Sequence, residues 1–138
     1  MKTLRAMLAL LVMVPFAVLA GRAHELVDPD PIEVPGKLAV SKVESIIKES
    51  LAARDWVIKD VKGHDIVAQY ERSGRGGMQH KAKIGIHYDA TQVTIKYIDS
   101  RDLDYSDEGG SRRIHGNYNK WIANLVKDIS VKMSAAAF

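Results

Sequence analysis

The sequence predicts an α+β fold, a two-layer sandwich in which two helices cover one face of a four-stranded antiparallel meander. Apolar residues recur at helical spacing in two segments, residues 41–54 and 117–134. Between them lie four stretches rich in β-branched and aromatic residues, separated by short turns. Short connections join antiparallel neighbours, because a parallel pair needs a much longer crossover.

Residues 24–36 precede the first helix and contain Pro29, Pro31 and Pro35 among acidic residues. Proline disfavours helix at its own position and at the residue before it. This segment is therefore predicted to be an extended lead-in, which could add one short edge strand around residues 32–34. The sequence is divided into this lead-in, a single α+β domain over residues 37–134, and a tail at 135–138.

The first helix is predicted to begin with a capping box formed by Ser41 and Glu44 and to end near Arg54. The second is predicted over residues 117–134, where an apolar stripe faces the core. That stripe consists of Tyr118, Ile122, Leu125, Val126, Ile129 and Met133. The loop before it, residues 99–116, has no period and is acidic and then glycine-rich.

The four strands are predicted at residues 56–61, 65–72, 79–88 and 92–98. Alternation places Ala82, Ile84, Ile86 and Tyr88 on the face that the helices cover. The opposite face is predicted to be open and rich in lysine, and it is one candidate interaction surface. Its candidate residues are Lys81, Lys83, His87 and Lys96.

Residues 1–23 have the features of a secretory signal peptide. Lys2 and Arg5 precede an apolar run over residues 6–20, which is 15 residues long, whereas a transmembrane helix needs about 20. Cleavage is predicted after Ala23, or alternatively after Ala20. The sequence therefore predicts a periplasmic or secreted protein with no transmembrane anchor after cleavage.

Cleavage also changes the charge of the chain. The full sequence has a net charge of +3, but three of its 20 basic residues and none of its 17 acidic residues precede His24. The mature chain is therefore neutral, and the strongly basic surface of a nucleic-acid-binding domain is not expected. The chain contains no cysteine, which excludes disulfides, thiolate nucleophiles and a lipid-modified N-terminal cysteine.

Two stretches of the sequence are similar to a known family. One is residues 95–105, and the other is the motif His-x-Asn-Tyr-Asn-x-Trp at residues 115–121, preceded by Ile114. Over residues 35–131 the chain resembles a family of small uncharacterised bacterial exported proteins and lipoproteins. This resemblance implies an α+β domain in the cell envelope and implies no activity. Lipid-anchored members have a cysteine at the cleavage site, so a lipid anchor is not implied here.

The same motif marks the entrance to the second helix as a candidate site for a small molecule or anion. The free N–H groups of a helix N-terminus attract phosphate or carboxylate. The alternative is that Asn117 caps the helix, that Tyr118 and Trp121 pack, and that His115 bonds the loop before it. The candidate ligand-binding residues are Arg112, Arg113, His115, Asn117, Tyr118 and Trp121.

No catalytic or metal-binding motif is found. The chain has no Gly-x-Ser-x-Gly elbow and no phosphate loop. The acidic loop after residue 101 lacks the glycine and the last glutamate of a calcium-binding loop. The histidines are scattered, and His80 and His87 are seven apart on one strand and so point to opposite faces. No metal and no cofactor are predicted.

The sequence thus predicts a non-enzymatic interaction module of the cell envelope. It would bind an envelope protein or an anionic envelope component through the open sheet face or through residues 99–121. Gly85, in the middle of a strand on the open face, indicates close approach by another group, such as a partner. The alternative function is a small-molecule or anion binder at the entrance of the last helix. The oligomeric state is left open.

Overall fold

The computed structural model describes residues 23–138. The predicted signal peptide therefore lies, except for Ala23, outside the described residues. The described chain forms seven strands and two α-helices. In chain order they are β1 (Ala23–Glu25), β2 (Ile32–Glu33), α1 (Val40–Ala53), β3 (Val57–Lys62), β4 (Asp65–Ser73), β5 (Gln79–Tyr88), β6 (Gln92–Arg101), β7 (Arg113–His115) and α2 (Gly116–Ala136).

The main sheet is antiparallel and has five strands in the order β2-β6-β5-β4-β3. The α+β class is confirmed and the meander β3 to β6 is present, but the sheet has five strands rather than four, and the fifth lies where the sequence allowed a short edge strand at residues 32–34. The lead-in supplies the fifth strand, because Ile32 and Glu33 pair with the start of β6 and satisfy its free backbone groups. A separate two-stranded ribbon joins β1 to β7.

One hydrophobic core joins the sheet to both helices. The inward residues of the central strands are fully buried, as the alternation predicts; they include Ile66, Ala68, Ala82, Ile84, Ile86 and Ile95. Each helix contributes one buried stripe, Val43, Ile46, Ile47, Ser50 and Leu51 from α1 and Tyr118, Ile122, Leu125, Ile129 and Met133 from α2. None of the helices in residues 23–138 combines the length and the apolarity required to span a bilayer.

Both predicted helix caps are wrong. Helix α1 starts at Val40 with Ala39 as its N-cap residue, so Ser41 lies inside the first turn and Glu44 pairs with Lys48 at 2.7 Å instead. Helix α2 is capped by the ring of His115 rather than by Asn117. The cap preferences of short polar side chains are worth only about 1 kcal/mol, so packing around a helix start can override them.

The close approach that Gly85 indicates comes from within the chain. Ile98 is an extra residue in β6, because Ile84 pairs with Tyr97 while Lys83 pairs with Asp99. The side chain of Ile98 lies over Gly85, where a Cβ atom would come within 3.3 Å of its Cδ1 atom. Gly85 is therefore explained by this bulge, and it gives no support to a partner on the open face.

The lead-in packs against the rest of the domain along its length. Leu26, Ile32 and Val34 are buried in the common core. The carboxylate of Asp28 accepts a hydrogen bond from the backbone N–H of Tyr97 at 2.9 Å and pairs with Arg112 at 3.3 Å. These contacts hold the segment along β6, from Tyr97 back to its start, and beside β7.

Ser50 provides a test of the core. Its side chain is fully buried on α1, and its hydroxyl has no hydrogen-bond partner among residues 23–138. Burying an unpaired hydroxyl is costly, so we expect Ser50→Ala to raise the free energy of unfolding by about 1 kcal/mol.

The control is Ser45→Ala, because Ser45 is exposed on the same helix and shares the gain in helix propensity. Urea denaturation of both variants measures the difference. A Ser50→Ala variant no more stable than the Ser45→Ala variant would show that the hydroxyl is paired in solution.

Candidate ligand-binding groove

A groove crosses one end of the main sheet. The start of β3, the end of β4, the start of β5 and the end of β6 all meet there, because the strands are antiparallel. The groove consists of two adjoining depressions of about 390 and 600 Å³ that share Arg72 and Asn117. We call the first the aromatic half, since Trp56, Tyr70 and Trp121 line it, and the second the histidine half, since His80 and His115 line it.

Three aromatic rings form the floor and wall of the aromatic half. Trp56 is buried, with 5% of its surface exposed, and its ring centroid lies 5.5 Å from that of Tyr70. The Tyr70 ring meets Trp121 edge to face at 4.8 Å, a favourable arrangement for aromatic pairs. Tyr70 and Trp121 are half-buried, so their rings are held in place but still accessible from the groove.

The rim of the aromatic half is basic. Arg54, Arg72 and Lys120 line it together with Asp55. Arg54 is already engaged, because its guanidinium group donates two hydrogen bonds to Asp128, at 2.8 and 3.2 Å. This contact lowers the pKa of the Asp128 carboxyl group and raises the pKa of Arg54. In the part of the chain that the structure covers, Arg72 and Lys120 take part in no ion pair.

The histidine half is shaped by a contact between β5 and the loop after β6. The Nδ1 atom of His80 lies 2.6 Å from the carbonyl oxygen of Asp102, and the backbone N–H of Gln79 donates to the Asp102 carboxylate at 3.1 Å. Because a carbonyl oxygen only accepts, Nδ1 of His80 carries a proton, which leaves Nε2 as the acceptor of the neutral ring. These bonds hold Asp102 at a φ of 56°, a conformation that aspartate tolerates better than most residues.

His115 has the opposite arrangement. Its Nδ1 atom accepts a hydrogen bond from the backbone N–H of Asn117 at 3.1 Å, so the proton of the neutral ring is on Nε2. The two rings lie 6.1 Å apart. Of the two neutral rings, His115 therefore keeps a donor at Nε2, whereas the acceptor Nε2 of His80 faces Gly74. Because the ring of His115 accepts a hydrogen bond from one of the free N–H groups at the start of α2, the helix N-terminus is partly satisfied without a ligand.

Gly74 allows the hairpin loop to close over His80. A Cβ atom on residue 74 would lie 2.5 Å from Nε2 of His80, a distance that no side chain can occupy. The turn continues through Gly76 and Gly77, both with positive φ, as a glycine-rich loop between two strands permits. The glycine-rich hairpin between β4 and β5 thus forms one wall of the histidine half.

The six residues predicted at the helix entrance separate into two groups. His115, Asn117 and Trp121 line the groove. Tyr118 is buried in the core with 3% of its surface exposed, and this burial raises the pKa of its hydroxyl group. Arg112 pairs with Asp28, and the Arg113 guanidinium donates to the carbonyl oxygen of Ala23 at 2.7 Å. Both arginines thus bind the N-terminal segment that begins at Ala23, because β7 pairs with β1 on that side.

The four residues predicted on the open sheet face lie on adjoining positions of β5 and β6. Lys81 pairs with Glu71 at 3.2 Å, and His87 bonds Asp65 at 2.7 Å. Lys83 is half-buried and Lys96 is exposed, and within residues 23–138 neither is in an ion pair. A shallow depression of about 240 Å³ there is lined by Gln69, Lys81, Lys83, Asp99, Ser100 and Arg101.

Residues 23–138 contain no group of three or more histidine, aspartate or glutamate side chains placed to hold a metal ion. No protein-family model matches this chain, and a comparison with curated proteins also gives no match. The groove and the open face are therefore judged on their geometry.

Sequence reasoning did not predict Trp56, Tyr70, Arg72 or His80 as site residues. The strands contain a signal that could have found two of them. On β4 and β5, Arg72 and His80 pair with each other and continue the inward face that Tyr70 and Ala82 begin. Two polar residues at the end of an otherwise apolar face indicate that the helices no longer cover the sheet at that point.

Proposed function

We propose that this chain is an exported, non-enzymatic binding protein that holds a small molecule in the groove. The observation that carries the proposal is the convergence of three aromatic rings, two unpaired basic side chains and two histidines on one concave surface. Ligand sites are typically clefts of about 300–1,000 Å³ with apolar walls and a few placed polar groups. Both halves of the groove have this size.

Export is supported by the N-terminal sequence. A charged start, an apolar run and small residues at the cleavage positions are typical of a signal peptide, and the family resemblance implies the same destination. The absence of cysteine fits a domain whose stability depends on its core alone. We therefore place the protein in the periplasm or outside the cell.

A binding role, rather than catalysis, is supported by how the groove uses its histidines. The Nδ1 atoms of both His80 and His115 are committed to backbone hydrogen bonds. A general base is usually oriented by such a bond but also needs a nucleophile within reach of its second nitrogen. Around His80 that position faces Gly74, which has no side chain to activate.

The second candidate is an interaction module that uses the open sheet face. The observation that favours it is the convergence of Lys81, Lys83 and Arg101 on one shallow depression, which would suit an anionic envelope component or an acidic patch of an envelope protein. Local ion pairs weaken this surface, because Glu71 and Asp65 already engage Lys81 and His87.

The chain contains two tryptophans, and both line the groove. We expect that at least one compound in a library of amino acids, mono- and disaccharides, aromatic carboxylates and nucleotides will shift the indole N–H signal of Trp121 in a ¹H–¹⁵N NMR spectrum. The Trp121→Phe variant assigns that signal.

The backbone signals of Lys83 and Lys96 serve as the control, since they lie on the opposite face of the sheet, and they should not move. If no member of the library shifts the indole N–H signal of Trp121, the proposal that the groove binds a small molecule is wrong. Shifts confined to Lys83 and Lys96 would favour the open-face module instead.

A further inference from the structure

We infer that the ligand of the groove is an acidic saccharide, with a sugar ring in the aromatic half and its carboxylate at Arg72 and Lys120. This inference rests on the proposed function and adds the chemical class of the ligand. Three properties of the groove carry it: the aromatic surface, the two unpaired cations, and the nearly balanced charge of the whole groove.

The aromatic surface suits the apolar face of a pyranose ring. The faces of Tyr and Trp rings carry partial negative charge, and they attract the slightly positive C–H groups on one side of a sugar. Tyr70 and Trp121 are half-buried and held against each other at 4.8 Å, and the buried ring of Trp56 lies 5.5 Å from that of Tyr70. A preorganised platform of this kind loses little conformational entropy when a ring stacks on it.

The cations and amides beside the platform suit the polar groups of the same sugar. Arg54 is saturated by Asp128, which leaves Arg72 and Lys120 as the cations available to a carboxylate. A guanidinium group binds a carboxylate with two parallel hydrogen bonds. The side-chain amides of Asn117 and Asn124 also line this half, and each offers both donors and an acceptor to sugar hydroxyls.

The charge balance argues against a nucleic acid, the other ligand that stacks on aromatic rings beside cations. Across both halves, the lining contains four basic residues and three acidic ones. A polyphosphate backbone needs a clear excess of positive charge along its path. In the histidine half, Asp102 and Asp104 lie beside Arg75, and such a mixed surface suits the hydroxyl groups of further sugar units.

The test measures the affinity of three saccharides and one oligonucleotide by quenching of tryptophan fluorescence. The protein is expressed with its own N-terminal segment and purified. The saccharides are a trimer of galacturonic acid, the same trimer after reduction of its carboxyl groups, and the N-acetylglucosamine–N-acetylmuramic acid disaccharide of the cell wall. The oligonucleotide is a thymidine hexamer. The two acidic saccharides distinguish a uronic-acid polymer from a cell-wall unit as the source of the carboxylate.

At least one acidic saccharide is expected to bind about tenfold or more tightly than the reduced trimer, because only the acidic form engages Arg72. Arg72→Gln should weaken binding of the acidic saccharide more than binding of the reduced trimer, and so reduce that preference, while Lys120 still contacts the carboxylate. The matched control is Arg101→Gln, an exposed arginine at the other face of the sheet, which should bind as the unsubstituted protein does.

Four outcomes would overturn the inference. If neither acidic saccharide binds more tightly than the reduced trimer, or if the hexamer binds more tightly than both acidic saccharides, an acidic saccharide is refuted while a ligand in the groove is kept. If no saccharide binds but another library compound shifts Trp121, the ligand class is wrong and the proposed function stands. If no compound of any class reaches the groove, the proposed function fails with it.

Discussion

Replacing Leu125 with alanine should lower the free energy of unfolding by about 2–5 kcal/mol. Leu125 lies in the middle of α2, is fully buried, and belongs to the single core that joins both helices to the sheet. The loss combines the transfer free energy of the removed methyl groups with the cost of the cavity left behind. The effect is large because total stabilities of domains are only about 5–15 kcal/mol.

Urea denaturation followed by circular dichroism measures this loss. The control is Lys127→Ala, two residues along the same helix, because Lys127 is exposed and its replacement should change stability by less than about 0.5 kcal/mol. Equal midpoints for the two variants would mean that α2 does not pack as described. In that case the position of Trp121, one turn earlier on the same helix, would also be in doubt.

Removing residues 23–35 should leave the remaining chain largely unfolded. The segment buries Leu26, Ile32 and Val34 in the core. Burial of such side chains contributes roughly 1.5–3 kcal/mol each, and these area-based values are upper estimates. The sum is comparable to the whole stability of a domain. The truncation also exposes the backbone N–H of Tyr97, which Asp28 satisfies in the complete chain.

The comparison is between chains that begin at residue 23 and at residue 36, both followed by circular dichroism and thermal unfolding. Removal of Ala137 and Phe138 is the control, since both lie beyond the end of α2 and the Phe138 side chain is fully exposed. A folded chain beginning at residue 36, with its melting temperature unchanged, would show that the predicted domain of residues 37–134 is sufficient by itself.

The periodic elements of the fold could be predicted because each is encoded locally. The helices and the meander strands all follow from the spacing of apolar residues. The structure places the two helices at Val40–Ala53 and Gly116–Ala136, close to the predicted bounds. Burial of Ile84 and Ile86 on one face and exposure of His87 on the other follow from the same alternation.

Features that depend on pairing between distant segments could not be predicted. Arg112 and Arg113 precede His115 by three and two positions, but they bond Asp28 of the lead-in and the carbonyl oxygen of Ala23. The cap of α2 is similar, because the geometry of β7 turns the ring of His115, rather than the side chain of Asn117, towards the free N–H groups. A short polar motif shows which residues are present, but it does not show how the two-stranded ribbon of β1 and β7 orients their side chains.

The candidate groove combines both kinds of feature. Three of its residues, His115, Asn117 and Trp121, belong to the motif at the start of α2, so the sequence indicated the helix end that borders the groove. The aromatic platform needs Trp56, Tyr70 and Trp121, which come from three elements up to 65 positions apart in the chain. Only the folded chain brings them together. Antiparallel pairing places the start of β3 and the end of β4 at the same end of the sheet, and Trp121 of α2 packs against Tyr70 there.

The sequence by itself determined the α+β class, the order of the two helices and the four meander strands, and the buried face of the central strands. These properties depend on periods of 2 and 3.6 residues that any local segment reveals. The tertiary structure alone decided the pairing of the edge strand with β6, the ribbon of β1 and β7, the use of the lead-in as part of the core, and the composition of the groove. These features depend on which backbone N–H and C=O groups and which side chains still lack a partner after the helices and strands have packed. That is defined only in the folded chain.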